Sequence, residues 1–356
     1  HKRGQLAHRA GSEMSSIALF GQRVKIRKPR VRKDDEEIQL ESFAKLKSMD
    51  NLSGAIFKMM INGISTRSYD DVLQKFENDL GVSKSTVSRQ FIKESSKYLN
   101  EINSRRFAGH VFWALMIDGI YIGDDVIVVV LGVDMAGEKH FLGVSQGSTE
   151  NSIIVEECLN RLNDRDIQFA DKVVAVLDGA KALRKAVKHR FGDKVAIQRC
   201  LNHKVRNIEA KLPKKDRPEL KDRMRQAYDC NKLADAKEEF EKIHGWLASI
   251  SHNASESLLE GLDDLLTLHR IKMPPALRKS FYTTNLIESG FSEPRFKMKR
   301  VKRWIHQGDM IKRWAGAALI YQERNFRKVK NYNLIGYFIR DYVNQKTNGV
   351  DKSDAA

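Results

Sequence analysis

Between residues 112 and 198 the apolar pattern changes period in a fixed order, and that order limits the fold more than any other feature. Phe112 to Asp118, Val126 to Asp134 and Lys139 to Val144 are apolar runs separated by Gly123-Asp124-Asp125 and Ala136-Gly137-Glu138, as in a three-stranded antiparallel meander. Glu150 to Leu162 then sets Ile153, Ile154, Cys158, Leu159 and Leu162 at helical spacing. Val173 to Asp178 returns as a strand, a helix follows to about Arg190, and Val195 to Gln198 is a short fifth strand. The expected class is therefore α/β.

Meander, helix, strand, helix, strand is the order of a ribonuclease H-like core, in which the first and fourth strands lie side by side. Asp118, in Met116-Ile117-Asp118-Gly119, and Asp178, in Val176-Leu177-Asp178-Gly179, each close an apolar run and precede a glycine. Each carboxylate is expected at a strand end where the backbone turns, the place α/β sheets use for chemistry. Strand adjacency would bring the two together. A third acid, Glu288, lies in Thr283-Thr284-Asn285-Leu286-Ile287-Glu288. Converging carboxylates are hard ligands suited to Mg²⁺ or Mn²⁺, although a lone Asp-Gly after a strand is more often a turn.

Charge names the partner class. The chain of 356 residues carries 63 Lys and Arg against 46 Asp and Glu, a net charge of +17, which predicts a polyanion. Nucleic acid is favoured over membrane because no apolar stretch approaches the ~20 residues of a spanning helix. Hydrophobic residues at 41% exclude a disordered polymer. Three widely spaced cysteines, Cys158, Cys200 and Cys230, argue for a reducing interior, and no signal peptide is visible. The chain opens without Met, so its natural N-terminus is expected to be missing.

Arg23 to Lys33 holds seven positive charges and no negative one, and is read as a phosphate-binding arm through Arg27, Lys28 and Arg30 rather than a solvated strand edge. From Ser68, a short helix with Val72, Leu73, Phe76 and Leu80 on one face, the Gly81-Val82-Ser83 turn and a second helix to about Lys97 make a helix-turn-helix pattern. Val87 and Phe91 would point inward and Lys84, Thr86 and Arg89 outward toward DNA. An ordinary helical hairpin is the plainer alternative. Residues 201 to 280 are helical and charged, and Lys297 to Trp304 forms a basic run containing Lys299 and Arg300.

Taken in order, Pro29 to Arg32, Asp118-Gly119, Gly132 to Lys139, Gly143 to Glu150, Asp178-Gly179, Gln198 to Asn207 and Thr283 to Glu288 resemble the successive signatures of Mutator-type DDE transposases of bacterial insertion sequences. The resemblance covers roughly Gly21 to Arg324. It implies a ribonuclease H-like catalytic core with a helical insertion, preceded by an α-helical DNA-binding region. The expected boundaries are 1–104 for the arm and helix-turn-helix, 105–200 for the first part of the core, 201–280 for the insertion, 281–330 for the rest of the core and 331–356 for a tail. It further implies Asp118, Asp178 and Glu288 as a catalytic, metal-holding triad. The implied partners are terminal inverted repeats and target DNA, bound by a homodimer or larger assembly on the cytoplasmic nucleoid. The segment before the arm is short for this family, so recognition of the element ends is expected to be incomplete.

Cys200-x-x-His203 invites zinc, but Cys230 with His252 or His269 lacks the usual second-pair spacing. The resemblance makes the pair a signature, structural or substrate-facing, with Arg199, Lys204 and Arg206 around it as phosphate contacts. Asn285 and Glu288 have capping-box spacing, the competing role for Glu288. Glu293 is disfavoured as the third acid because Pro294 should distort or end the helix there. The expected activity is metal-dependent DNA cleavage and strand transfer, with a non-catalytic DNA-binding regulator or a ribonuclease H-like nuclease as alternatives.

Overall fold

A computed structural model describes residues 7–19, 22–33, 36–48, 51–63, 71, 74, 84–122, 124–147, 152–299, 301, 304 and 309–344. The chain forms two compact units, one from residues 1–98 and 296–314, the other from 99–295 and 315–356.

The first unit begins with strands, not with an arm followed by helices. β1 (His8–Leu19), β2 (Gln22–Lys33) and β3 (Glu36–Ile38) form an antiparallel sheet in that order. The basic run is its central strand. Its charges alternate with Val24, Ile26 and Val31, a period of two that suits a strand, and Pro29 is accommodated because β1 shifts register between Arg9 and Ser12 beside it. α1 (Glu41–Ser48) and α2 (Asn51–Gly63) follow. α3 (Lys84–Ser104) runs well beyond the expected Lys97, with Val87 and Phe91 buried as its spacing predicts. Phe57 stacks on Phe91 and Tyr98, and Phe91 meets Trp314 at 4.3 Å between centroids. Val72, Leu73, Phe76, Leu80, Gly81 and Ser83, the first helix and turn of the helix-turn-helix pattern, lie outside the described residues.

The second unit holds the five strands expected from the apolar runs. β4 (Val111–Ile122), β5 (Asp125–Asp134) and β6 (Lys139–Gly147) pair antiparallel, and β7 (Gln168–Leu177) and β8 (Val195–Arg199) add in parallel, giving the order β6-β5-β4-β7-β8. The first and fourth strands are neighbours. α4 (Ser152–Asn163) and α5 (Lys181–Phe191) cover one face, where Leu159, Leu162, Leu183 and Val187 pack on Leu115, Ile117, Ala175 and Leu177. Ile153, expected in that apolar face, is 72% exposed.

Residues 201–278 are helical. α6 (Leu201–Glu209), α7 (Arg217–Asp229), α8 (Leu233–Ile250) and α9 (His252–Leu259) are followed by three four-residue helices, α10 (Leu262–Leu265), α11 (Thr267–Arg270) and α12 (Pro275–Arg278). They enclose a core of their own around Leu220, Met224, Phe240, Leu247 and Leu258, all fully buried. Truncating Phe240 to Ala there would cost about 3 to 5 kcal/mol. α13 (Asn285–Met298), α14 (Met310–Glu323) and α15 (Ile335–Asn344) complete the chain.

Pro294 does not end α13. The ring removes one intrahelical hydrogen bond, and the helix continues because Phe291 and Met298 on either side are buried. Nor are residues 331–344 a tail, since Phe338 packs edge-on against Trp113. Two cations brace the second unit. Arg105 pairs with Glu323 at 2.6 Å and donates to the Phe141 carbonyl, and buried Arg165 donates to the carbonyls of Ile102 and Leu142.

Candidate functional site

Asp118 is not at a strand end. It sits inside β4 opposite Val129, because Ile120 and Ile122 continue the apolar alternation up to the hairpin pair Ile122 and Asp125. Leu115 and Ile117 face α4 and α5, so Asp118 shares the other face with Met116. Asp178 follows directly on Leu177, the last residue of β7. β4 pairs in parallel with β7 up to Met116 and Val176, so Asp118 and Asp178 each lie two residues beyond the same matched pair.

Burial leaves Asp118 9% exposed and pushes its carboxyl up to about 6, and the charge of Glu288 pushes the same way. The Gly119 amide, 2.8 Å from Oδ1, and the charges of His203 and Arg295 pull it down. Arg295 also donates to the Gly119 carbonyl at 3.2 Å. Asp178 Oδ1 accepts from the Ala180 amide at 2.7 Å, the turn role open to any Asp-Gly, which leaves its second oxygen for other partners.

Glu288 is in the first turn of α13, but not in a capping box with Asn285. Helix bonds begin at Thr284, whose carbonyl accepts from Glu288 N and whose hydroxyl donates to Glu288 Oε1 at 2.7 Å. The same hydroxyl lies 3.2 Å from Cys200 Sγ and 3.4 Å from His203 Nδ1. Cys200, His203 and Glu288 thus present ligand atoms within 4.8 Å of one another, with Thr284 stitching them together by hydrogen bonds. Burial pushes the Cys200 thiol up, but hydrogen bonds with His203 and Thr284 outweigh it and hold the thiol below its ordinary value. His203 is raised, chiefly by its hydrogen bond with Cys200 and further by the charges of Asp118 and Asp178. This signature pair is therefore a positively biased imidazole beside the acids.

Among known families, the model described as "Transposase, Mutator family" matches residues 2–328. The chain belongs to the Mutator family of transposases. It is similar to the transposase for insertion sequence element IS905 of Lactococcus lactis subsp. lactis (strain IL1403), 25% identical over 286 residues, 78% of this chain and 70% of that protein. It is also similar to the transposase for insertion sequence element IS256 in transposon Tn4001 of Staphylococcus aureus, 25% identical over 281 residues, 76% of this chain and 69% of that one. The transposase for insertion sequence element IS6120 of Mycolicibacterium smegmatis is 26% identical over 254 residues, 68% of this chain and 76% of that protein.

The basic residues of this Mutator-family chain fall into distinct groups. On β2, Arg27 is exposed on the same face as Lys25 and Lys33. Lys28 and Arg30 lie on the other face, where Lys28 pairs with Glu13 at 3.0 Å and Arg30 with Glu37 at 2.9 Å. Treating all three as equivalent arm cations is corrected by this alternation. At the start of α3, Lys84 and Arg89 are exposed and Thr86 is half-buried, with Arg89 3.4 Å from the Thr86 hydroxyl.

Arg199 and Lys204 are not surface phosphate contacts. Arg199 is buried beneath Gly179 and Gly261, where an added Cβ would collide with its guanidinium, and it donates to the Glu260 carbonyl at 2.8 Å. Lys204 is fully buried and donates to the Ser257 carbonyl; burial, helped by the charge of Arg199, brings its amine down to about 8. Arg199 instead props the turn that carries Asp178, where Gly179 has φ +107°. Arg206 is exposed and lines a cleft of 580 Å³ with Asn202, Lys221, Asp222, Arg225 and Tyr282. Lys299 is exposed just beyond α13, and Arg300 lies outside the described residues. Among the described residues, no helix is long and apolar enough to cross a membrane.

Sequence reasoning missed Thr284 and Arg295. Thr284 stands inside the Thr-Thr-Asn-Leu-Ile-Glu run, but its link to Cys200 spans 84 positions of sequence. Nothing local marks Arg295.

Proposed function

We propose that the chain is the transposase of a bacterial insertion sequence, a DDE enzyme that cuts at the element ends and joins them to target DNA. On this reading the five-stranded sheet is a ribonuclease H-like core interrupted by the helices of residues 201–278. Asp118, Asp178 and Glu288 are the catalytic acids. The observation that carries the reading is the parallel pairing of β4 with β7, which runs to Met116 and Val176, each two residues short of an aspartate, together with a Glu288 whose charge is felt at Asp118.

The residues fit a divalent ion. A carboxyl raised chiefly by burial and further by a second carboxylate gains from a bound cation, and its oxygens are hard donors. Asp118, Asp178 and Glu288 would hold Mg²⁺ or Mn²⁺, which when bound supplies activation of water or a 3′-hydroxyl and stabilisation of the leaving oxygen. His203 and Arg295 add positive charge beside the acids, where a phosphodiester would lie. Thr284 orients Glu288, and Arg199 fixes the turn under Asp178.

DNA is the partner this reading requires, held by Arg27, Lys84, Thr86, Arg89, Arg206, Lys299 and Arg300, with two copies or more acting together on paired ends at the bacterial nucleoid. Incubation with labelled element-end oligonucleotides, target plasmid and Mg²⁺ tests it. Chelator-sensitive cleavage followed by joined products is expected. Binding without cleavage would instead identify a regulator, and cleavage without joining a nuclease.

A further inference from the structure

Far from the acids, at the opening end of β4, a second group of titratable side chains converges. Asp118 is eight residues along from His110, about 26 Å of extended chain. His110 directly precedes β4, Asp134 ends β5, Glu138 lies in the hairpin turn and His140 is the second residue of β6, all within the second unit. Ligand atoms of these four residues lie within 4.8 Å of one another, and the imidazole rings are 5.0 Å apart between centroids. Two imidazoles with two carboxylates form a nitrogen and oxygen donor set suited to zinc, and unlike the oxygen-only set proposed around Asp118.

The surroundings are already arranged for such an ion. His110 Nδ1 lies 2.6 Å from Asp134 Oδ2, so these two ligand atoms already stand side by side, and His140 presents its Nδ1 to Glu323 Oε1 at 3.9 Å. The Glu323 carboxylate fixes the His140 ring and leaves its Nε2 as the ligand atom, a usual feature of metal-binding histidines. His140 Nε2 is buried, has no hydrogen-bond partner and lies 3.8 Å from Glu138 Oε2. The other oxygen of Glu138 is taken by Lys328 at 3.3 Å, and Asp134 Oδ1 by the amides of Ala136 and Glu138. Each carboxylate therefore has one oxygen committed to the scaffold and one turned to the cluster. Phe107 closes one side, edge-on to both rings.

We propose that His110, Asp134, Glu138 and His140 bind one Zn²⁺ ion that ties the start of β4 to the β5–β6 hairpin. The ion is structural. Tetrahedral zinc requires ligand atoms about 3.4 Å apart, so small side-chain rotations suffice.

The test uses the full chain, stripped by chelator and titrated with Zn²⁺ under calorimetry, with metal content read by mass spectrometry. One zinc per chain is expected, with a melting temperature raised by about 5 °C at saturating ion. His140→Ala and Glu138→Gln should each weaken zinc binding by roughly tenfold or more. The Glu138 side chain is 42% exposed in a turn, so its variant keeps the test open if His140→Ala does not fold. Cys200→Ser should retain the zinc, and Co²⁺ substituted for it should show no thiolate charge-transfer band. The proposal is overturned if the wild type takes up no stoichiometric zinc at micromolar free ion, or if zinc is lost with Cys200→Ser and kept by both cluster variants.

Discussion

The two sheets of this molecule treat charge in opposite ways. In the five-stranded sheet β4 and β5 are almost wholly buried, and the polar groups at Asp118 and Arg199 are held out of water by specific partners. In the three-stranded sheet the charges stand in solvent, alternating between a paired face and an open one. Buried charges shift their pKa values and are sensitive to single atoms; solvated ones act together through long-range field and salt. On the proposed function, the first sheet would carry the chemistry and the second the attraction of DNA.

The largest expected effect is on catalysis. Asp118→Asn and Asp178→Asn should each lower cleavage and joining by roughly a thousandfold, a barrier increase of about 4 kcal/mol, while DNA affinity changes little. Parallel loss of binding in a filter or fluorescence assay would break the separation of roles. Glu288→Gln should give a similar loss of activity with nearly normal thermal stability, since the amide oxygen still accepts from Thr284, whereas Glu293→Gln should stay active. A stable and active Glu288→Gln protein would reduce that residue to a helix-terminal hydrogen bond.

Stability should depend on pH through buried groups of the second unit. His269 is 4% exposed, and burial, together with the Arg278 charge, lowers its pKa to about 4 from 6.5. The folded state then favours the neutral ring. Its contribution is complete above pH 6.5 and is lost as pH falls toward 4, by about 3 kcal/mol in all. Denaturant titrations of wild type and His269→Gln should diverge across that window; parallel curves would show that the ring is protonated without cost.

The smallest effects belong to the three-stranded sheet. Lys25→Ala with Arg27→Ala should weaken binding to specific and random DNA alike and flatten the salt dependence by about 0.9 for each phosphate no longer neutralised. Lys28→Ala and Arg30→Ala should change the slope less and cost under about 1 kcal/mol of stability, as exposed ion pairs do. Equal slopes for both pairs would erase the distinction between the two faces of β2.

Legibility followed the same division. Continuous apolar runs announced β4 to β8 and their order, because a strand buried on both faces leaves no other composition open. Strand ends were less legible: Asp118 was expected at a terminus, yet Ile120 and Ile122 carry the strand past it. The basic run at 23–33 hid a strand behind its charge, since half-exposed strands read as polar alternation and β1 has few large apolar residues. Arg199, counted among phosphate contacts by its neighbourhood in sequence, is buried by Gly179 and Gly261 from two other segments.

By itself the sequence determined the α/β class, the order of the five strands, membership of the Mutator family through its spaced signatures, and three acids in settings suited to chemistry. Periodicity and local motifs are short-range properties, so the chain displays them directly. Tertiary structure alone decided that β4 and β7 pair in parallel up to Met116 and Val176, two residues before Asp118 and Asp178, that Thr284 joins Cys200, His203 and Glu288, and that His110 meets His140. Those arrangements depend on register and packing between segments tens of residues apart, and a one-residue slip in β4 would turn Asp118 to the opposite face without altering a letter of its sequence.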